Sequence, residues 1–228
     1  MGAPEDAKAD HGVMPRVVSP RITPLSEADR PSAVEALARA FRDNPLNLAV
    51  IRSRDPAVRM RCNVHGMRVL LPVAQARGLV LAAKVDGRLA GALVAATPFG
   101  YPLPAPAPAA RIRCLLGQGW SVARRWGRVF EALHAVHPLE PMGYLGTLGV
   151  DPALQARGVG TALLNRWLAG LDRKAIGAYL ETDRVENLAF YRRAGFEVVG
   201  ETRVQGVVIW RMQRAPGSPA RASAPPPH

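Results

Sequence analysis

Three short stretches of the chain carry residue types that could do chemistry together. The first is Gln155-Ala156-Arg157-Gly158-Val159-Gly160-Thr161, where two glycines punctuate a turn that runs into an apolar helical pattern. The first turn of a helix holds unpaired N–H groups and the positive end of the macrodipole, so a strand, a tight turn and a helix in succession make a natural anion site. Glycine at 158 and 160 leaves successive backbone N–H groups open to a phosphate; the alternative is a tight turn that packs a helix on a sheet. The second stretch is Tyr-Leu-Glu-Thr, residues 179–182, with Glu181 at the C-terminal end of a strand, where ligands of such sheets gather. It is either a carboxylate that moves protons or a structural one bonded to backbone or to an arginine. The third is Asn187 to Ala194, with Asn187 as the natural N-cap of a short helix and Tyr191 one turn later. Tyr191 is a phenol able to give a proton, or a packing aromatic. Glu140, Asp183 and Glu186 are weaker carboxylate candidates. His134 and His137 belong either to a binding wall or to an exposed loop.

Two common owners of a phosphate loop fail against the first stretch. A P-loop needs Lys and then Ser or Thr after its second glycine, and Gly160 is followed by Thr161-Ala162; a dinucleotide fingerprint needs a third glycine where Leu163 stands. The strand just before adds a clue. Gly146 and Gly149 lie inside Gly143 to Val150, and glycine in a strand marks a bulge or a close backbone approach by another chain or ligand. An open strand backbone ending beside a pyrophosphate cradle suits a long cofactor with phosphate in its middle and an amide-bearing arm, the shape of coenzyme A.

On these residues the run from Gly143 to about Arg211 resembles the GCN5-related N-acetyltransferases: a strand ending LGVDP, a QARGVG signature of Gln-x-x-Gly-x-Gly form, then NLAFYRRAGF. HPLEPMGYLGTLGVDP and YLET are similar, more narrowly, to the branch containing puromycin N-acetyltransferase. The resemblance implies an α/β fold with a mixed, mostly antiparallel sheet of about seven strands, flanked by helices and splayed between strands 4 and 5, with acetyl-CoA in the cleft and no metal. By position, Leu148, Gly149 and Val150 would offer backbone groups to the pantetheine arm and acetyl carbonyl. Gln155, Ala156, Arg157, Gly158, Val159, Gly160 and Thr161 would hold the pyrophosphate, and Asn187 and Tyr191 would also contact the cofactor.

Transfer to an amine then asks for a neutral nucleophile, a stabilised oxyanion and a proton for the departing thiolate. Glu181 is the candidate base and Tyr191 the candidate acid. The acceptor side departs from the puromycin-transferase pattern. Met142-Gly143 stands where that branch tends to have His-Trp, and Asp183 follows Leu180-Glu181-Thr182 where it tends to have serine. The expected activity is acetyl transfer to a primary amine of a small molecule; the alternatives are an acyl-CoA sensor without turnover and an acetyltransferase of a protein or ribosomal target.

The elements that must position these residues follow from periodicity and breakers. Residues 21–45 read as a strand, a turn and a helix with Pro31 and Ser32 near its start and Val34, Leu37, Ala38 and Phe41 on one face. Arg54 to Gln75 carries a second helical pattern. Two apolar runs flank Asp86-Gly87, a strong hairpin signal. After a Pro-rich bridge, a single helix is expected from Arg111 to His134, with Leu115, Leu116, Trp120, Ala123, Val129 and Phe130 as its apolar face. A strand to Val150, a helix to about Leu171, a strand at 175–182, the short helix closed by Gly195 and a final strand pair complete one domain, residues 20–214. Residues 1–19 and 215–228 are polar or Pro-rich and read as disordered tails.

Composition narrows the partners. The 228-residue chain has a net charge of +12, but its basic residues are nearly all arginine, scattered with no basic helical stripe, which argues against a dedicated nucleic-acid surface. An acidic substrate or cofactor remains compatible. No run is long enough to span a membrane, the first residues lack the order of a signal peptide, and the two cysteines show no metal or CxxC spacing. A cytoplasmic protein, monomeric or a homodimer, is expected.

Overall fold

The computed structural model describes residues 19–218. Of the expected tails, residues 1–18 and 219–228 lie outside the described residues; residues 215–218 are described and tied down, the Gly217 N–H donating to the Asp172 carboxylate at 2.9 Å and the Ser218 carbonyl accepting from Arg214 at 2.6 Å. Seven strands form one sheet in the order β1-β2-β3-β4-β5-β7-β6: β1 (Arg21–Pro24), β2 (Leu79–Val85), β3 (Arg88–Ala96), β4 (Gly143–Val150), β5 (Ala178–Thr182), β6 (Glu197–Val204) and β7 (Val207–Arg214). Every neighbouring pair is antiparallel except β4 and β5.

The parallel pair is short. It runs only through Gly143, Tyr144 and Leu145 against Ala178, Tyr179 and Leu180. Beyond it, Thr147 to Val150 pair with β3 alone, while Glu181 and Thr182 pair with β7 alone. The two strands thus part at their C-terminal ends, which is the expected splay, and each leaves a free backbone edge facing the gap.

Helices cover both faces. On one, α6 (Val159–Asp172) and α7 (Glu186–Arg193) bury Leu163, Leu164, Trp167, Leu168, Leu188 and Tyr191 against Leu145, Ala178, Leu180 and Met212. On the other, α1 (Arg30–Ala40) and α3 (Pro56–Arg77) pack Val34, Leu37, Leu71 and Ala74 on Val80, Ala82, Ala92 and Val94. Strand alternation sorts the side chains: Ala178 and Leu180 face α6, so Tyr179 and Glu181 face the other way.

Two helices differ from expectation. The chain between Phe41 and Arg54 holds an unforeseen helix, α2 (Pro45–Ile51), only two turns long. Its N-cap Asn44 makes no capping bond of its own. The Asp183 carboxylate, 137 residues away, accepts from the Leu46 N–H at 2.8 Å instead, which local sequence could not reveal. The single helix expected over 111–134 is two, α4 (Pro108–Gln118) and α5 (Trp120–Ala135), broken at Gly119 with φ of 83°. The break turns α5 to a new direction, so the expected apolar face divides. Val129 is buried with Val204 and Ile209, whereas Leu116, Trp120 and Phe130 are 79%, 70% and 64% exposed.

Candidate active site

The gap between β4 and β5 is built by the strand that precedes the glycine turn. Gly146 is the extra residue of a β-bulge: Val94 pairs with Thr147 and the next residue, Ala95, pairs with Leu145. A bulge shifts the side-chain alternation by one. Leu145 and Leu148 therefore both face α6, and Gly149 turns toward α1. The expectation that strand glycines mark a ligand's approach needs correction at Gly149. A Cβ there would stand 2.6 Å from Leu37 Cδ2 and 3.0 Å from Phe41 Cε2, so this glycine exists to let α1 lie close on the sheet.

The cradle behaves differently. Asp151 caps the 3-10 turn Pro152–Leu154, and the Gln155 amide Nε2 donates to the Val150 carbonyl at 3.1 Å, tying the loop to the end of β4. Gly158 then caps α6 at φ of 85°, in the left-handed region that favours glycine. Its carbonyl takes the Ala162 N–H at 3.0 Å, so the first-turn N–H groups of Val159, Gly160 and Thr161 precede the helix's own ladder. Only Val159 is buried in the core; Gln155, Ala156, Gly158 and Thr161 are exposed. A Cβ on Gly160 would meet Val150 and Phe190 at no closer than 3.6 Å, ordinary contact. Packing does not require glycine there. A backbone left bare where packing is indifferent fits a phosphate group resting on it, and the residues present accommodate coenzyme A's pyrophosphate.

Tyr191 is 7% exposed on the α6 face, edge to face with Phe190 at 5.0 Å and Phe196 at 5.9 Å. Burial, reinforced by the Asp183 charge, holds its phenol protonated far above the usual tyrosine range. Asn187 departs from expectation. The helix begins at Glu186 after Val185, and the Asn187 side chain makes no cap; its Nδ2 donates to Thr182 Oγ1 at 3.2 Å, fastening α7 to the end of β5.

Glu181 lies on the opposite face, inside a cluster that sequence reading assembled only in part. Tyr101 of the Pro-rich bridge stacks on His137 at 3.8 Å and meets Tyr144 edge to face at 4.6 Å. His137 in turn lies 5.0 Å from the Tyr179 ring. Arg211 is paired with Glu181 across β5 and β7, which puts both side chains on this face. Of the two flagged histidines, His137 joins the cluster and His134 reaches its exposed rim, 5.8 Å from Tyr101. Glu140 and Glu186 are exposed and outside it, and Asp183 is engaged at α2.

Burial pushes the Glu181 carboxyl up to about 7, although the Tyr144 and Tyr179 hydroxyls and Arg211 pull it back toward the anion. Burial, helped by His134, pushes His137 down to about 4, so its ring is neutral near pH 7. The Tyr101 phenol rises to about 12 through burial and the Glu181 charge, and Tyr144 and Tyr179 shift the same way for the same reasons. A carboxyl poised near neutrality beside a strand gap can take a proton from an amine and pass it on. Tyr101, Tyr179 and Arg211 escaped the sequence reading as site residues. Their segments are far apart in the chain, and no local signal joins them.

Known proteins place this geometry. Residues 117–198, which hold β4, the cradle, β5 and α7, match the sequence family described as acetyltransferase (GNAT) domain. Over those residues the chain is similar to a GNAT acetyltransferase domain. It is 34% identical over 106 residues to the N-alpha-acetyltransferase RimI of Mycobacterium tuberculosis, and 36% identical over 72 residues to the mycothiol acetyltransferase of Mycobacterium leprae. These matches cover 45% and 28% of this chain, and 61% and 22% of those proteins. Among solved structures, a Corynebacterium glutamicum protein described as histone acetyltransferase HPA2 and related acetyltransferase superposes with a TM-score of 0.64 at 25% identity, over 89% of this chain and 99% of that one. The likeness of fold to that structure extends across the described sheet, including the β1 to β3 half that the family match leaves out.

Proposed function

We propose that this protein is an acetyl-CoA-dependent N-acetyltransferase that acetylates a primary amine by direct attack on the thioester. The observation that carries the reading is the parting of β4 and β5 between a bare N-terminal helix cradle and a carboxylate, Glu181, whose Oε1 is buried without a hydrogen-bond partner among the described residues. Bound acetyl-CoA would supply the acetyl thioester. Residues 155–161 would hold its pyrophosphate, and the free edge of Leu148 to Val150 would take the amides of its arm. Asn187, beside Thr182, borders the same gap.

The chain's own residues divide the proton work by face. Glu181 accepts a proton from the incoming ammonium, an amine with pKa about 10.4 being neutral in only about one part in a few thousand at pH 7. Tyr191, on the α6 face, returns a proton to the departing thiolate. Its raised pKa keeps the phenol protonated but makes the transfer uphill, so the proton has to move in concert with breaking of the C–S bond; Glu181 is on the acceptor side of the sheet.

A small-molecule amine is the first-choice acceptor, because the rings of Tyr101, His137, Tyr144 and Tyr179 close around the carboxylate. A protein α-amine is the second reading, supported by the likeness to an N-alpha-acetyltransferase. The narrower resemblance to the puromycin-transferase branch rests on the strand motifs alone. At Gly143, where that branch tends to have tryptophan, even a Cβ would stand 2.7 Å from Leu171. The test is calorimetry with acetyl-CoA together with CoA release across aminonucleosides, polyamines, amino-acid amides and N-terminal peptides. Neither binding nor release would overturn the reading, and binding without release would favour the acyl-CoA sensor.

A further inference from the structure

Four side-chain atoms are buried without a hydrogen-bond partner among the described residues: His137 Nδ1, Tyr179 Oη, Glu181 Oε1 and Arg211 Nε. All four belong to one cluster. Leaving such an atom unmet is costly, and native structures hold few of them. Their concentration around one spot calls for a common explanation.

Glu181 and Arg211 make the point most clearly. They are direct cross-strand neighbours on the same face, half-enclosed by tyrosines, and a buried carboxylate so placed normally closes on its guanidinium. Here no salt bridge joins them among the described residues. The guanidinium is turned aside. Its Nη1 donates to the Val136 carbonyl at 3.4 Å, and its terminus lies over Gly200, where a Cβ would collide with Nη2. The backbone of β6, bulged between Val198 and Gly200, thus holds the cation back from the carboxylate. What remains is a carboxylate oxygen and two donors on the same face, the Arg211 Nε–H and the Tyr179 O–H, none of the three in a completed hydrogen bond among the described residues, although the Tyr179 hydroxyl still favours the Glu181 anion.

Resting on the acetyltransferase reading, we infer that His137, Tyr179 and Arg211 are acceptor-binding residues that, with Glu181, select an amine bearing a carbonyl on the adjacent carbon, an α-amino acyl group. Its ammonium donates to Glu181 Oε1. Its carbonyl oxygen accepts from Arg211 Nε–H and Tyr179 O–H. The neutral ring of His137, fixed by its stack on Tyr101, walls the group without adding a competing cation. A plain alkyl amine leaves both donors unmet, and a polyamine brings a second cation toward Arg211. Both are disfavoured.

The experiment titrates alaninamide, sec-butylamine, which replaces the carboxamide by an ethyl group, and putrescine into the protein by calorimetry, alone and saturated with coenzyme A. Alaninamide is expected to bind about tenfold or more tighter than either, the worth of one or two hydrogen bonds to a charged donor. In Arg211→Met and in Tyr179→Phe the ratio of alaninamide to sec-butylamine affinity falls severalfold, while coenzyme A affinity is unchanged. Using the change in ratio removes the difference in basicity between the two amines. Equal binding of the three ligands, binding of none, or a preference that survives in both variants overturns the inference. If coenzyme A binds and simple amines are acetylated without preference, only this inference fails; if coenzyme A does not bind, the acetyltransferase reading fails with it.

Discussion

The two sides of the splayed sheet solve different problems by different means. The α6 face is a continuous segment: strand, glycine turn and helix run from Gly143 to Asp172, and α7 follows within fourteen residues. The groups proposed to face the cofactor there are mainly backbone N–H and C=O, which every residue has, so selectivity depends on leaving them bare and correctly aimed. The opposite face draws side chains from the bridge at Tyr101, the end of α5 at His137, β4, β5 and β7. Its groups are titratable, aromatic and buried, and they hold four unmet polar atoms. An invariant donor can be read by backbone. An acceptor that differs between enzymes must be read by side chains, and those come from the segments free to vary.

The comparison can be broken most forcefully at the cradle. Gly158→Glu places a charge and a Cβ in a left-handed turn facing the anion, and acetyl-CoA affinity is expected to fall by about a hundredfold or more with the circular dichroism spectrum retained. Unchanged affinity in calorimetry would show that the cradle is elsewhere. On the other face, Glu181→Gln should lower kcat by about a hundredfold while acetyl-CoA affinity stays the same, as expected for loss of a general base. The wild-type rate should climb through an apparent pKa near 7 set by Glu181, and the Gln variant should lack that limb.

The same substitution has a signed effect on stability. Because the folded carboxyl titrates near 7 rather than at its ordinary 4.5, the native state binds the extra proton between those values, and stability falls as pH rises through them. Glu181→Gln should therefore gain stability relative to wild type above pH 7 compared with pH 4.5, by up to about 3 kcal/mol. Chemical denaturation at the two pH values measures it, and no change would mean the carboxyl is already solvated. Tyr191→Phe should reduce kcat about tenfold while the limb set by Glu181 stays in place, because the phenol is protonated across the accessible pH range; an unaltered kcat would leave Tyr191 as a packing aromatic of the core.

A pair of small changes sharpens the contrast between a glycine at the end of β4 and one in the first turn of α6. Gly149→Ala drives a Cβ into Leu37 and Phe41 and should cost about 1–3 kcal/mol in denaturant unfolding, with cofactor affinity altered only through the fold. Gly160→Ala makes only ordinary contacts, so stability should hold or rise slightly, while acetyl-CoA affinity falls severalfold. The reverse pattern would exchange their roles.

Much of the frame was legible along the chain. The Asp86-Gly87 turn joins β2 and β3 as expected, the helix after Gly158 and the strand pair after Gly195 stand where their periodicity puts them, and the bulge at Gly146 was flagged by a glycine inside a strand. What failed did so for identifiable reasons. The helix over 111–134 was read through Gly119, a residue that tolerates a left-handed φ that ends a helix. The two-turn α2 is capped by a carboxylate from beyond β5, and Asn187 was offered as a cap because Asn at a helix start usually is one.

By itself the sequence determined the alternation of strands and helices, the bare glycine turn and the proton-carrying candidates Glu181 and Tyr191. Each of these is written in residues within a few positions of one another, where periodicity and turn chemistry act. Only the tertiary structure decided that Glu181 and Tyr191 lie on opposite faces, that Gly149 answers to α1, and that Arg211 is held off the carboxylate across from it. Those outcomes depend on strand pairing between segments tens of residues apart, and on burial, which sets the charge state of a side chain only once the chain has closed around it.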